Sequence, residues 1–125
     1  MTKPRPVYLN LVRIRLPLPG IVSILHRVSG AALFVVGIPL ALWGLQASLE
    51  SSAGYDRIAG AFAHPLAKLV LLGLVWAYLH HLCAGVRFLL LDLHRGIELT
   101  PARQSSAAVV VASVALTLII GARLW

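Results

Sequence analysis

Two short segments carry the side chains that could do chemistry. One is WAYLHHLCAGVRFLLLD, Trp76 to Asp92, an apolar stretch that holds Tyr78, His80, His81 and Arg87. The other is SILHRVSG, in which Ser23, His26 and Arg27 stand at the head of a second apolar stretch. An imidazole can ligate a metal or move a proton near neutral pH. A guanidinium grips carboxylates, and together with a hydroxyl it can donate hydrogen bonds to a carbonyl. Ionisable groups inside apolar runs are costly, which makes function the default reading for them.

Helical spacing sorts these residues. Gly73, Ala77, His81, Gly85, Phe88 and Asp92 recur at three and four and share one stripe. Its small residues would let a flat partner, a porphyrin or another helix, lie beside His81. His80 points about 100° away. Either histidine could bind haem iron, or simply hydrogen-bond to a neighbouring helix. His81 precedes Asp92 by about 16 Å of helix, deep in a bilayer. Ser23 and Arg27 share a face, as do His26 and Gly30. Arg27 and His26 could anchor to lipid headgroups or bind carboxylates such as haem propionates. Ser23 and Arg27 could also donate to a carbonyl. Ser23, Gly30, Gly37 and Gly44 recur every seven residues, a seam read as helix packing at Gly37 and Gly44. His64 and His94 fall in linkers, where solvation accounts for them.

Positioning these groups takes membrane helices. The chain has 125 residues, 59 % hydrophobic and 12 % charged, with a mean hydropathy of +0.88. A soluble domain this small could not bury so much apolar surface, and disorder is excluded. The expected fold is an all-α membrane protein, one domain of three spans at about 22–49, 66–92 and 105–124, each near the ~20 residues that cross a bilayer. Polar loops are expected between Leu49 and Pro65 and between Asp92 and Gln104.

The formal charge of +7 could suggest nucleic acid, but the basic residues follow membrane topology instead. Lys3, Arg5, Arg13, Arg15, Arg27, Arg87, Arg95 and Arg103 fall on one side of the spans; Arg57, Lys68 and Arg123 fall on the other. The positive-inside rule then places the N-terminus in the cytoplasm and the C-terminus outside. Trp43, Trp76 and Trp125 would lie toward the outer half. No cleavable signal or transit peptide is evident, which favours a bacterial inner-membrane chain. Cys83 is the sole cysteine. That excludes a disulfide framework, a cysteine-ligated iron–sulfur cluster and covalent haem attachment.

The stretch RPVYLNLVRIRLPLPGIVSILHRVSG, followed by a span and then H-x-x-x-G-V-R-x-L-L-x-D, resembles the cytochrome b subunit of succinate dehydrogenase. That family is the larger membrane anchor of succinate:quinone oxidoreductase, respiratory complex II. The likeness covers nearly the whole chain. S-x-x-H-R-x-[ST]-G is fairly specific, and its pairing with H-x-x-x-G-x-R-x-x-x-x-D is strongly so. The resemblance implies that His81, rather than His80, is the axial ligand of a haem b. It implies that His26 and Arg27 lie near the haem propionates, and that Ser23 and Arg27 help form a ubiquinone pocket. Family members often carry His directly after the second motif's arginine, where this chain has Phe88. Asp92 closes the motif as a boundary charge.

Bis-histidine ligation needs a second imidazole, and neighbouring His80 and His81 cannot straddle one iron. The third span has no His. The family supplies the other ligand from a second, smaller anchor subunit. No G-x-G-x-x-G fingerprint or cysteine cluster occurs, so the flavin and iron–sulfur clusters belong to flavoprotein and iron–sulfur partner subunits. The expected function is thus to hold a shared haem and part of a quinone-reduction site, with lipid and quinone as small partners and no nucleic acid. The rival readings are a small transporter lined by His80, His81 and Arg87, and a haem-free structural anchor.

Overall fold

The computed structural model describes residues 14–125. Lys3, Arg5, Arg13 and the RPVYLNL part of the first motif lie outside the described residues. Five α-helices follow in order: α1 (Leu18–Ala32), α2 (Ile38–Glu50), α3 (Ser52–Ala63), α4 (Pro65–Asp92) and α5 (Leu99–Leu124). A π-helical segment, Leu33–Gly37, joins α1 to α2 without a break. Three membrane spans result: Leu18–Glu50, Pro65–Asp92 and Leu99–Leu124.

The first span begins earlier than its hydropathy suggests. Pro17 is the N-cap of α1, and Pro19 sits in its first turn, where the missing N–H breaks no helical bond. His26 and Arg27 therefore lie well inside a helix. The π segment has a cause in Pro39, whose ring would collide with the carbonyl four residues back in an α-helix. A wider turn, with the Ile38 N–H bonded to the Leu33 carbonyl, moves that carbonyl aside. The extra residue also rotates the register beyond it. A Cβ on Gly30 or Gly37 would touch α4, but one on Gly44 would meet nothing within 4 Å. The expected seven-residue packing seam thus ends at Gly37.

The expected loop between Leu49 and Pro65 is mostly helix. Ser51 breaks α2 with extended backbone, and its hydroxyl accepts from the Gly54 N–H at 3.0 Å, a cap that starts α3. Gly54 is required there, because a Cβ would collide with the Ala47 carbonyl of α2. His64 then caps α4, its Nδ1 accepting from the Leu66 N–H at 3.2 Å, and Pro65 opens the helix.

At its other end α4 stops in a Schellman turn: the His94 N–H bonds to Leu91 and the Arg95 N–H to Leu90. His94 occupies the left-handed position, at φ 59°, that glycine usually fills. α5 starts at Leu99 rather than near Ser105. Pro101 falls in its first turn, where proline is tolerated.

Helix α4 is the centre of the bundle and packs against both α1 and α5, which also touch each other. Val22, Ala84 and Val109 form the buried core, with Cys83, Phe88 and Val110 around it. α5 meets its neighbours through Ser106, Val109, Ser113, Thr117 and Gly121. The three hydroxyls donate to carbonyls of their own helix at 2.7, 3.0 and 2.7 Å, which satisfies them without a partner helix. Helix α2 has no buried residue and presents its apolar side chains outward.

Candidate functional site

The two sequence motifs meet across α1 and α4. The His26 and His81 rings stack with centroids 4.1 Å apart and planes 9° from parallel. Phe88 tilts against His26 at 5.1 Å. The His81 Nδ1 lies 2.9 Å from the His26 backbone carbonyl and 3.3 Å from the Ser29 Oγ. A carbonyl only accepts, so Nδ1 carries the hydrogen and the Nε2 lone pair is free. The Ser29 hydroxyl donates to the same His26 carbonyl at 2.9 Å.

Glycine makes this contact possible, though not at the position that spacing along α4 indicates. A Cβ on Gly30 would lie 2.7 Å from the His81 Cε1, closer than real side chains approach. Gly85, on the His81 stripe, lies beside His26 instead, its Cβ position 3.7 Å from the His26 Nε2. A Cβ on Gly73 would meet nothing within 4 Å.

The neighbouring histidines occupy opposite environments. His81 is half-buried. His80 is 1 % exposed and stacks on Trp76 at 5.3 Å. Neither His80 nitrogen makes a hydrogen bond of normal geometry among the described residues, although the Val22 backbone of α1 lies close to the ring. Arg87 is also buried. Its Nε donates to the Ser105 Oγ at 3.0 Å and its Nη2 to the Ala102 carbonyl at 3.4 Å, while its guanidinium sits 5.5 Å from the Phe88 ring centre. Arg87 thereby ties the end of α4 to the start of α5. His80 and Arg87 are buried two turns apart on one face of α4, and half-buried His81 lies on another.

Ser23 stands about one turn closer than His26 to the start of α1 and is half-buried; Arg27 directly follows His26 and is exposed. Neither side chain hydrogen-bonds to another described residue. Sequence reasoning missed Ser29 and Gly30 as partners of His81, and it singled out Arg87 without its tie to α5. Ser29 and Gly30 lay inside the quoted motif, but nothing in their spacing aims them at His81. Among the described residues, no group of three or more His, Cys, Asp and Glu side chains is placed to hold a metal ion.

A model of the succinate dehydrogenase/fumarate reductase transmembrane subunit matches residues 1–120. The chain belongs to that family. Among similar proteins, the succinate dehydrogenase cytochrome b556 subunit of Paracoccus denitrificans is 37 % identical over 115 residues, 92 % of this chain and 88 % of the relative. The subunit of the same name from Coxiella burnetii is 32 % identical over 126 residues and covers 100 % of both chains. That of Rickettsia felis is 30 % identical over 116 residues, 93 % of this chain and 90 % of the relative.

As a membrane-anchoring subunit of succinate dehydrogenase, the protein is a multi-pass component of a bacterial inner membrane and of the electron-transport chain. The family's accessory role agrees with a chain of three apolar spans. Its motif histidines lie at the contact of α1 with α4, and Arg87 lies at that of α4 with α5.

Proposed function

We propose that this anchor holds one face of a haem b shared with a second, smaller anchor subunit, and forms part of the ubiquinone-reduction site. The observation that carries the reading is the contrast between the two neighbouring histidines. His81 offers a free Nε2 lone pair on a half-buried ring, as ligation shared with another chain requires. His80 is enclosed by its own bundle and cannot reach a group held between subunits.

The residues fit a haem. His81 would supply one axial nitrogen, held by its Nδ1 hydrogen bond in the tautomer that a ligand needs. His26 and Arg27 would face the propionates. The second imidazole would come from the partner anchor. Bound there, the haem would supply one-electron redox chemistry. The task of this chain is orientation and electrostatics.

For the quinone, the Arg27 guanidinium would donate to a carbonyl oxygen and the Ser23 hydroxyl would fix its direction. With the N-terminus cytoplasmic, these donors face the side on which the iron–sulfur and flavoprotein subunits dock. Electrons then reach the quinone without crossing the bilayer.

Haem content of the purified complex tests the ligand assignment, read by a reduced-minus-oxidised spectrum. His81→Ala should lose the b-type band, whereas His80→Ala should keep it. The opposite pattern would reverse the assignment, and retention in both would remove this chain as a ligand donor.

A further inference from the structure

The hydrogen bonds around His81 involve a residue to which the quinone and haem motifs give no role. The His81 Nδ1 faces two oxygens, the His26 carbonyl at 2.9 Å and the Ser29 Oγ at 3.3 Å. Ser29 is 3 % exposed, so no solvent competes for its hydroxyl. Its one hydrogen goes to the His26 carbonyl at 2.9 Å, which turns an oxygen lone pair toward the Nδ1–H. Both oxygens therefore act as acceptors for the same N–H. A hydroxyl turned the other way would donate to Nδ1 and select the tautomer whose Nε2 carries a hydrogen and cannot bind a metal.

We propose that Ser29 is a positioning residue for His81: its hydroxyl, oriented by the His26 carbonyl, joins that carbonyl in holding the Nδ1–H, keeps Nε2 free for the haem iron and raises the electron-donor strength of the ring. The inference rests on His81 being the ligand. An acceptor at the distal N–H gives an imidazole more anionic character and makes it a stronger donor. A stronger donor favours the oxidised metal, so loss of the Ser29 oxygen raises the haem reduction potential.

Spectroelectrochemical titration of the intact complex reads this directly, with the low-spin ferric resonance as a second signature. Ser29→Ala should keep its haem, move the midpoint potential upward and shift the resonance. Ser113→Ala is the control. It removes another buried hydroxyl that bonds only to its own helix, at 3.0 Å to the Val110 carbonyl, and should move neither.

If Ser29→Ala does not assemble, Ser29→Cys replaces it, because a thiol keeps the volume but is a weak acceptor. Haem lost from assembled Ser29→Ala but kept in Ser113→Ala would support the assignment as well. An unchanged or lowered potential would overturn it, provided His81→Ala has lost its haem. If His81→Ala retains haem, the ligand assignment itself has failed, and the inference about Ser29 falls with it.

Discussion

The imidazoles of His26 and His81 lie face to face, 4.1 Å between ring centres and 9° from parallel, so α1 and α4 meet through the two histidines of separate motifs. The stack places the axial-ligand candidate directly against the propionate-site candidate. It also lets the backbone of α1 set the ring orientation of a residue on α4. A change on either helix should therefore be felt at the haem.

Gly30 and Gly85 should respond differently to the same substitution. Gly30→Ala would place a Cβ 2.7 Å from the His81 Cε1, which forces the ring off its hydrogen bond. At Gly85 the nearest atom is 3.7 Å away, an ordinary contact. We expect Gly30→Ala to lose most of its haem and Gly85→Ala to retain it, measured as haem per assembled complex. Full haem in Gly30→Ala would show that α1 does not constrain His81.

His80 should tolerate an apolar replacement. A buried polar group without a partner costs about 1–3 kcal/mol, and neither His80 nitrogen makes a hydrogen bond of normal geometry among the described residues. His80→Leu keeps much of the volume and removes the cost. The thermal midpoint of the complex should stay level or rise, with the haem spectrum unchanged. A marked fall would show that His80 has a polar partner in the assembled complex.

Arg87 should matter for stability more than for chemistry. Its bonds to Ser105 and Ala102 join α4 to α5, and hydrogen bonds from a charged donor are worth about 1.5–3 kcal/mol. Arg87→Met keeps the stem but loses the bonds. It should lower the denaturation midpoint of detergent-solubilised complex and speed proteolysis near residues 93–98. Unaltered stability would mean that the tie is redundant.

Ser23 and Arg27 bear on quinone kinetics. Ser23→Ala removes one hydroxyl and little volume, so folding and haem content should survive. The lost hydrogen bond, about 0.5–1.5 kcal/mol, should raise the apparent quinone KM roughly twofold to tenfold. Arg27→Leu should be worse, because it removes a charged donor and the proposed partner of a propionate. Succinate-to-dye electron transfer should persist in both, assayed beside succinate–quinone reduction on matched membranes. Wild-type quinone kinetics in both variants would move the pocket elsewhere.

The sequence by itself determined that the protein is helical and membrane-spanning, because apolar runs of this length leave the backbone no other partner in lipid. It also determined the family, through H-R-x-S-G and H-x-x-x-G-V-R-x-x-x-x-D, whose spacing is local and survives any arrangement of the helices. Helix α3 was hidden because Ser51, Gly54 and Asp56 look like turn residues, while a capping serine and a glycine in close approach equally well start a helix. Only the tertiary structure decided which way the helices face one another. α5 does carry a small and polar stripe, Ser106, Ser113, Thr117 and Gly121, on the side that meets its neighbours. α4, however, is apolar nearly all round, and its small-residue stripe does not say which neighbour each position meets. For that reason His80 and His81 were equivalent by composition, until packing enclosed one and left the other half-buried. The contact of His81 with His26 and Ser29 spans more than 50 positions of chain. It exists because Gly30 lets two helices approach at that level, a fit between surfaces that no single helix records.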